Sequence, residues 1–103
     1  MPNEQKQRDK AKVHIAKGEQ YMDSERFKKA AEEFQKAAEI LFEIHEYKVA
    51  EQCFFYASKN LNSIEQFYGA GNNQRLAANC ALISSDLAKA RDYYDIAAKS
   101  YLK

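Results

Sequence analysis

The sequence predicts an all-α domain of about six antiparallel helices, paired as three hairpins and stacked into a short right-handed superhelix. Three observations lead there. Of 103 residues only three are Gly and one is Pro, whereas Ala, Glu, Lys, Gln and Leu, all good helix formers, are plentiful. Apolar residues recur three and four apart, the period of a helix face and not of a strand. An aromatic–alanine constellation also returns at intervals of twenty residues, the mark of a repeat architecture.

The first helix is expected from about Asp9 to Met22, with Val13, Ala16, Gln20 and Tyr21 near one side and residues 1–8 frayed. Asp23 and Ser24 offer capping oxygens ahead of a second helix, in which Phe27, Ala30, Ala31, Phe34, Ala37, Ala38, Leu41 and Phe42 form a broad apolar stripe. Near His45 the stripe changes phase, so a tight turn leads into a third helix carrying Tyr47, Ala50, Cys53, Phe54 and Ala57. Asn60 to Ser63 breaks that pattern. Ser63 and Gln66 have the spacing of a capping box for a short fourth helix through Ile64, Phe67 and Tyr68. Gly69, Gly71, Asn72 and Asn73 tolerate left-handed geometry and predict a stop. A fifth helix then runs from about Gln74 to Ile83. Ser84, Ser85 and Asp86 cap a sixth through Leu87, Ala90, Tyr94, Ala97 and Tyr101.

The repeated unit is Phe27, Ala30, Phe34, Ala37, which returns as Tyr47, Ala50, Phe54, Ala57 and as Leu87, Ala90, Tyr94, Ala97. A fourth match, Phe67, Ala70, Gln74, Ala77, is set aside because residues 71–73 interrupt any helix there. Small residues let a neighbouring backbone approach, and an aromatic four positions on fills the groove beside the crossing. Stacked hairpins follow, with a closed bundle as the alternative, since Ala is abundant enough to match by chance.

A single domain spanning 1–103 fits the length. Lys and Arg total 16 against 15 Asp and Glu, too even a balance to gather nucleic acid. The distribution is uneven: residues 1–29 hold eight basic and five acidic side chains, residues 30–51 two and six. These are either ordinary solvated faces or, with Lys10 and Lys17 among them, a basic edge for an acidic partner. Cys53 and Cys80 lie in apolar stretches outside any metal or redox spacing and are expected as buried thiols, in keeping with a reducing, cytoplasmic setting. The longest apolar run, Cys53 to Ala57, is far short of the ~20 residues of a membrane helix, so no integral segment is expected, while peripheral membrane association stays open.

Ala11, Gly18, Tyr21, Phe27, Ala30, Phe34 and Ala37 stand at the spacing of the tetratricopeptide repeat (TPR), with His14 where that repeat has Trp or Leu and no closing Pro. The segment 27–60, FKKAAEEFQKAAEILFEIHEYKVAEQCFFYASKN, resembles the AAxxFxxAAxxxxxxxxYxxAxxCFxxA texture of the soluble NSF attachment proteins (SNAPs). Their TPR-like hairpins run near 40 residues, and the likeness extends over about 27–101. It implies a superhelical scaffold in protein transport that docks on coiled-coil SNARE-like helices and recruits an ATPase. Full SNAPs are far longer. Their functional penultimate Leu is echoed by Leu102, although a terminal Leu equally closes a last amphipathic turn.

No catalytic, metal or cofactor site is expected. His14 and His45 are 31 positions apart and belong to no motif, and Glu32 and Glu33, as sequence neighbours on a helix, read as solvation. Adjacent aromatics cannot all point inward, so Phe55, Tyr68 and Tyr93 are the surplus rings of Phe54-Phe55-Tyr56, Phe67-Tyr68 and Tyr93-Tyr94. With Lys10 and Lys17 they are the candidate partner-binding residues, weighed against a wide buried stripe. The expected function is a protein-docking adaptor for a helical or extended partner. The alternatives are a homo-oligomerising module or a MIT-like three-helix trafficking domain over 9–60.

Overall fold

In the computed structural model, which describes residues 3–103, the chain forms five helices: α1 (Glu4–Asp23), α2 (Phe27–Glu43), α3 (Tyr47–Ser63), α4 (Phe67–Ile83) and α5 (Leu87–Tyr101). Among the described residues there is no strand. Each helix packs against its sequence neighbour. Alternate helices are tied as well: Arg8 ahead of mid-α1 reaches Glu46 before α3 at 3.0 Å, Tyr93 on α5 reaches Glu51 on α3 at 3.1 Å, and Asn73 on α4 donates to Gln35 on α2 at 3.3 Å. The helices therefore zigzag, with α1, α3 and α5 along one side of a slab of 43 × 35 × 15 Å.

Five helices replace the expected six because residues 69–73 lie inside α4. Neither Gly69 nor Gly71 has a positive φ. Gly71 is buried beneath Tyr101, where a Cβ would come within 2.8 Å of the ring, so α4 uses its small size and not its left-handed freedom. Asn73 stays helical by donating its amide to the Gly69 carbonyl at 2.9 Å. With α4 continuous, the copy Phe67, Ala70, Gln74, Ala77 belongs to the series, and the twenty-residue period runs unbroken from α2 to α5.

The left-handed residues sit elsewhere, at Glu25, His45, Glu65 and Ser85, themselves twenty apart, with φ of 60, 63, 58 and 63°. Each lies in a three-residue turn with the same hydrogen bonds. Glu25 N–H donates to the Met22 carbonyl and Arg26 N–H to that of Tyr21, and the pattern recurs through Glu46 to Leu41, Gln66 to Leu61 and Asp86 to Ala81. This is the Schellman closure, with a non-Gly residue where Gly is usual.

Two capping expectations are corrected by these turns. Ser24 closes α1, its hydroxyl donating to the Gln20 and Tyr21 carbonyls, and Arg26 holds the N-cap position of α2. Ser63 ends α3 and donates to the Lys59 carbonyl, so Asn60 to Ser63 continue that helix. Asp86 does cap α5, accepting from Lys89 N–H at 3.2 Å. The first helix begins at Glu4, ahead of the expected Asp9; Met1 and Pro2 fall outside the described residues.

Alanine at two positions seven apart sets the helix spacing: Ala30 and Ala37, Ala50 and Ala57, Ala70 and Ala77, Ala90 and Ala97 are all buried. Phe34 and Phe54 fill the adjoining gaps and anchor two apolar clusters, which link α1 to α4. The same frame extends back into α1, where Ala11 and Gly18 are buried at the positions of Ala31 and Ala38.

Candidate functional site

Along the odd-numbered side, α1 and α3 diverge above α2 and leave a groove of about 350 Å³. Ile15, Glu19 and Met22 form one wall, Val49, Gln52, Cys53 and Tyr56 the other, and Phe34 the floor. Gly18 makes that floor: a Cβ on it would stand 3.0 Å from three Phe34 ring carbons, so only a hydrogen leaves room for the ring. Val49, Cys53 and Tyr56 recur at i, i+4, i+7, which puts them on one strip of α3.

Beyond the groove an aromatic row crosses from α2 to α5. Phe34 stacks on Tyr56 with centroids 5.4 Å apart, Tyr56 meets Phe55 edge-on at 5.9 Å, and Phe55 meets Tyr93 at 6.3 Å. Phe55 and Tyr56 are each about 40% exposed, enough ring surface to reward a partner's apolar side chain. The row ends on a buried carboxylate. Glu51 accepts from the Tyr93 hydroxyl and pairs with Lys89 Nζ, both at 3.1 Å. Burial, followed by the Glu51 charge and hydrogen bond, pushes the Tyr93 phenol up to about 12, so it remains a neutral donor.

Of the sequence-predicted residues, Phe55 and Tyr93 come together in this row, Phe55 exposed and Tyr93 half-buried. Tyr68, highly exposed, belongs to a separate cluster on α4 with Tyr101 at 5.5 Å. Tyr101 in turn donates to Asn72 Oδ1 at 2.8 Å. Lys10 and Lys17 are exposed on α1, at the two repeat positions that carry buried Ala in each of the other helices. Tyr56, Val49 and Glu51 were not singled out by sequence. Tyr56 was hidden as the third ring of an apolar run, and Glu51 reads as a surface acid until α5 is laid over it.

The remaining chemistry-bearing groups are engaged in packing. His14 Nδ1 lies 2.7 Å from Glu33 Oε1, so Glu33 is a partly buried ion-pair partner and not the solvated acid expected. The His14 hydrogen bond, with Lys36 and Lys17 adding charge against the opposing effect of burial, holds the Glu33 carboxyl below its ordinary value. His45 occupies a turn and stacks on Tyr47. Burial pushes the Cys53 thiol up to about 12 and Cys80 to about 11, so both are protonated at neutral pH. Among the described residues there is no group of three or more His, Cys, Asp or Glu placed to hold a metal, and no helix is long and apolar enough to cross a membrane.

Comparison with the models of known families, with curated proteins and with solved structures finds no match to this chain.

Proposed function

We propose that the chain is a TPR-like helical-repeat scaffold that docks a helical or extended protein segment on its odd-numbered side. The observation that carries this reading is the Phe34-floored groove opening onto the Phe55 and Tyr56 rings. It offers apolar depth, exposed aromatic anchors, and a polar rim in Glu19 and Gln52. The action proposed is binding without chemistry, supported by histidines held in packing contacts and thiols held protonated.

Two helices and two turns occupy forty residues, the hairpin length that the SNAP resemblance implies. A right-handed stack and a place in protein transport on the cytoplasmic side, with a coiled-coil segment as client, are the finer form of the proposal. A photo-crosslinking residue at Gln52 tests it. One helical client from a native extract should be trapped, and trapping should be lost in Tyr56→Ala with the circular dichroism unchanged. Trapping that survives Tyr56→Ala, or that fails in the parent protein, overturns the groove as the docking site.

A further inference from the structure

The twenty-residue period builds the groove twice. Moving on by twenty carries Ile15, Phe34 and Cys53 of the α1–α3 groove to Gln35, Phe54 and Asn73, which line a second groove between α2 and α4 on the opposite side of the slab. Its larger part, about 270 Å³, continues past Leu76 to a smaller part over Phe54.

The two grooves share their construction and differ in charge. The first, with its continuation past Ile15 and Val49, carries Arg8, Lys12, Glu19 and Glu46, which balance. Their equivalents in the second are Lys28, Glu32, Glu39 and the neutral Gln66, and Glu43 adds a third carboxylate to the α2 wall. Half of the six acids that the sequence concentrates in residues 30–51 thus line one groove. All three are exposed, and among the described residues none has an ion-pair partner.

The second groove also lacks a donor. Asn73 is only 3% exposed, and its amide lies between the walls: Nδ2 donates to the Gly69 carbonyl at 2.9 Å and to Gln35 Oε1 on the facing wall at 3.3 Å. Those two bonds fix which way the amide is turned, and no group of the chain donates to Oδ1. A buried acceptor left unpaired is costly, so a ligand that brings a donor is rewarded. Asn60 Oδ1, the other such atom, belongs to an amide turned to Met22 Sδ and the Tyr56 carbonyl, and Asn60 lines neither groove.

We propose that the α2–α4 groove binds an extended basic peptide segment. Its Lys or Arg side chains pair with Glu32, Glu39 and Glu43, and one of its backbone N–H groups donates to Asn73 Oδ1. The segment is extended because a helix has already used its own N–H groups. Spacing agrees: Glu39 and Glu43 are about 6 Å apart along α2, close to the roughly 7 Å between alternate side chains of an extended chain. Leu76 offers apolar surface to the methylene stems of the basic side chains. This site is on the side away from the Phe34-floored groove and stands independently of the docking proposed there.

Fluorescence anisotropy of a labelled, end-capped hexalysine titrated with the whole chain at low salt tests it. Saturable one-to-one binding is expected below about 1 mM. Glu39→Gln with Glu43→Gln should weaken it about tenfold, whereas Glu19→Gln, the same kind of charge change in the other groove, should leave it within about twofold. Asn73→Cys installs the residue of the first groove and removes no charge; it should weaken binding about fivefold with the circular dichroism unchanged. A hexalysine methylated on its backbone nitrogens cannot donate there and should show the same loss against the parent chain, with no change to the fold. Absence of saturation by about 1 mM overturns the proposal. So does an equal loss in Glu19→Gln, which marks a diffuse field, or a methylated peptide that binds as well as the unmodified one, which leaves the Asn73 oxygen to packing alone.

Discussion

Gly18 of α1 lies flat against the ring of Phe34 on α2, so close that a methyl group on residue 18 would stand 3.0 Å from three ring carbons. The contact is where the floor of the groove and the packing of the first two helices meet, and it makes two glycines of this chain behave differently.

Gly18→Ala gains about 1 kcal/mol of helix propensity but forces a ring that is itself fully packed, at an overpacking cost of about 1–3 kcal/mol. A net loss of about 1 kcal/mol is expected in urea denaturation. Gly71→Ala meets the Tyr101 ring, which is partly exposed and on the last residue of α5, and which can swing away. That variant should be neutral or slightly stabilised, reversing the order expected from the two distances alone. Phe34→Ala, which empties the floor, should cost about 3–5 kcal/mol.

The four left-handed turn residues carry a steric penalty of about 1–2 kcal/mol each, offset in a glycine variant by about 0.5–1 kcal/mol of added chain entropy in the unfolded state. Glu25→Gly and Glu65→Gly should therefore each stabilise the fold by about 0.5–1 kcal/mol. Thermal melts of the single variants and the pair check this, and the two sites, in separate turns, should add.

The lowered Glu33 carboxyl ties stability to pH in a definite direction. A group whose pKa is depressed on folding stabilises fully above its unfolded value, here the ordinary 4.5, and loses that contribution as pH falls through the folded value. The gap in melting temperature between the parent protein and Glu33→Gln should be constant from about pH 5.5 to 6.5 and close progressively below pH 4.5. A gap unchanged at pH 3 would show that the His14 contact does not depend on the charge.

Both thiols move the opposite way. With Cys53 near 12 and Cys80 near 11, the folded chain keeps protons that the unfolded chain releases around pH 9.0. Stability should decline as pH rises past that point. Alkylation at pH 8 should be slow in buffer and fast in urea, read by mass spectrometry; rapid native labelling would place a thiol at the surface.

What the residues alone determined is the part of the structure governed by local periodicity. Ala30 and Ala37, seven apart and followed at twenty-residue intervals by their copies, specify helices with a narrow approach on one side. Asp86 three residues before Lys89 specifies a cap, and the phase change at His45 specifies a turn. All of these act within one or two helical turns. The tertiary structure decided everything that depends on what lies across a helix crossing. Gly71 reads as a stop until it is seen inside α4, beneath the Tyr101 ring. Glu51 reads as solvated until Tyr93 and Lys89 close over it. Lys10 and Lys17 read as a basic edge, and the structure adds that they are exposed in register with the buried alanines of four other helices. In the same register Tyr94 is partly exposed where Phe34 and Phe54 are buried, because α5 packs against α4 alone.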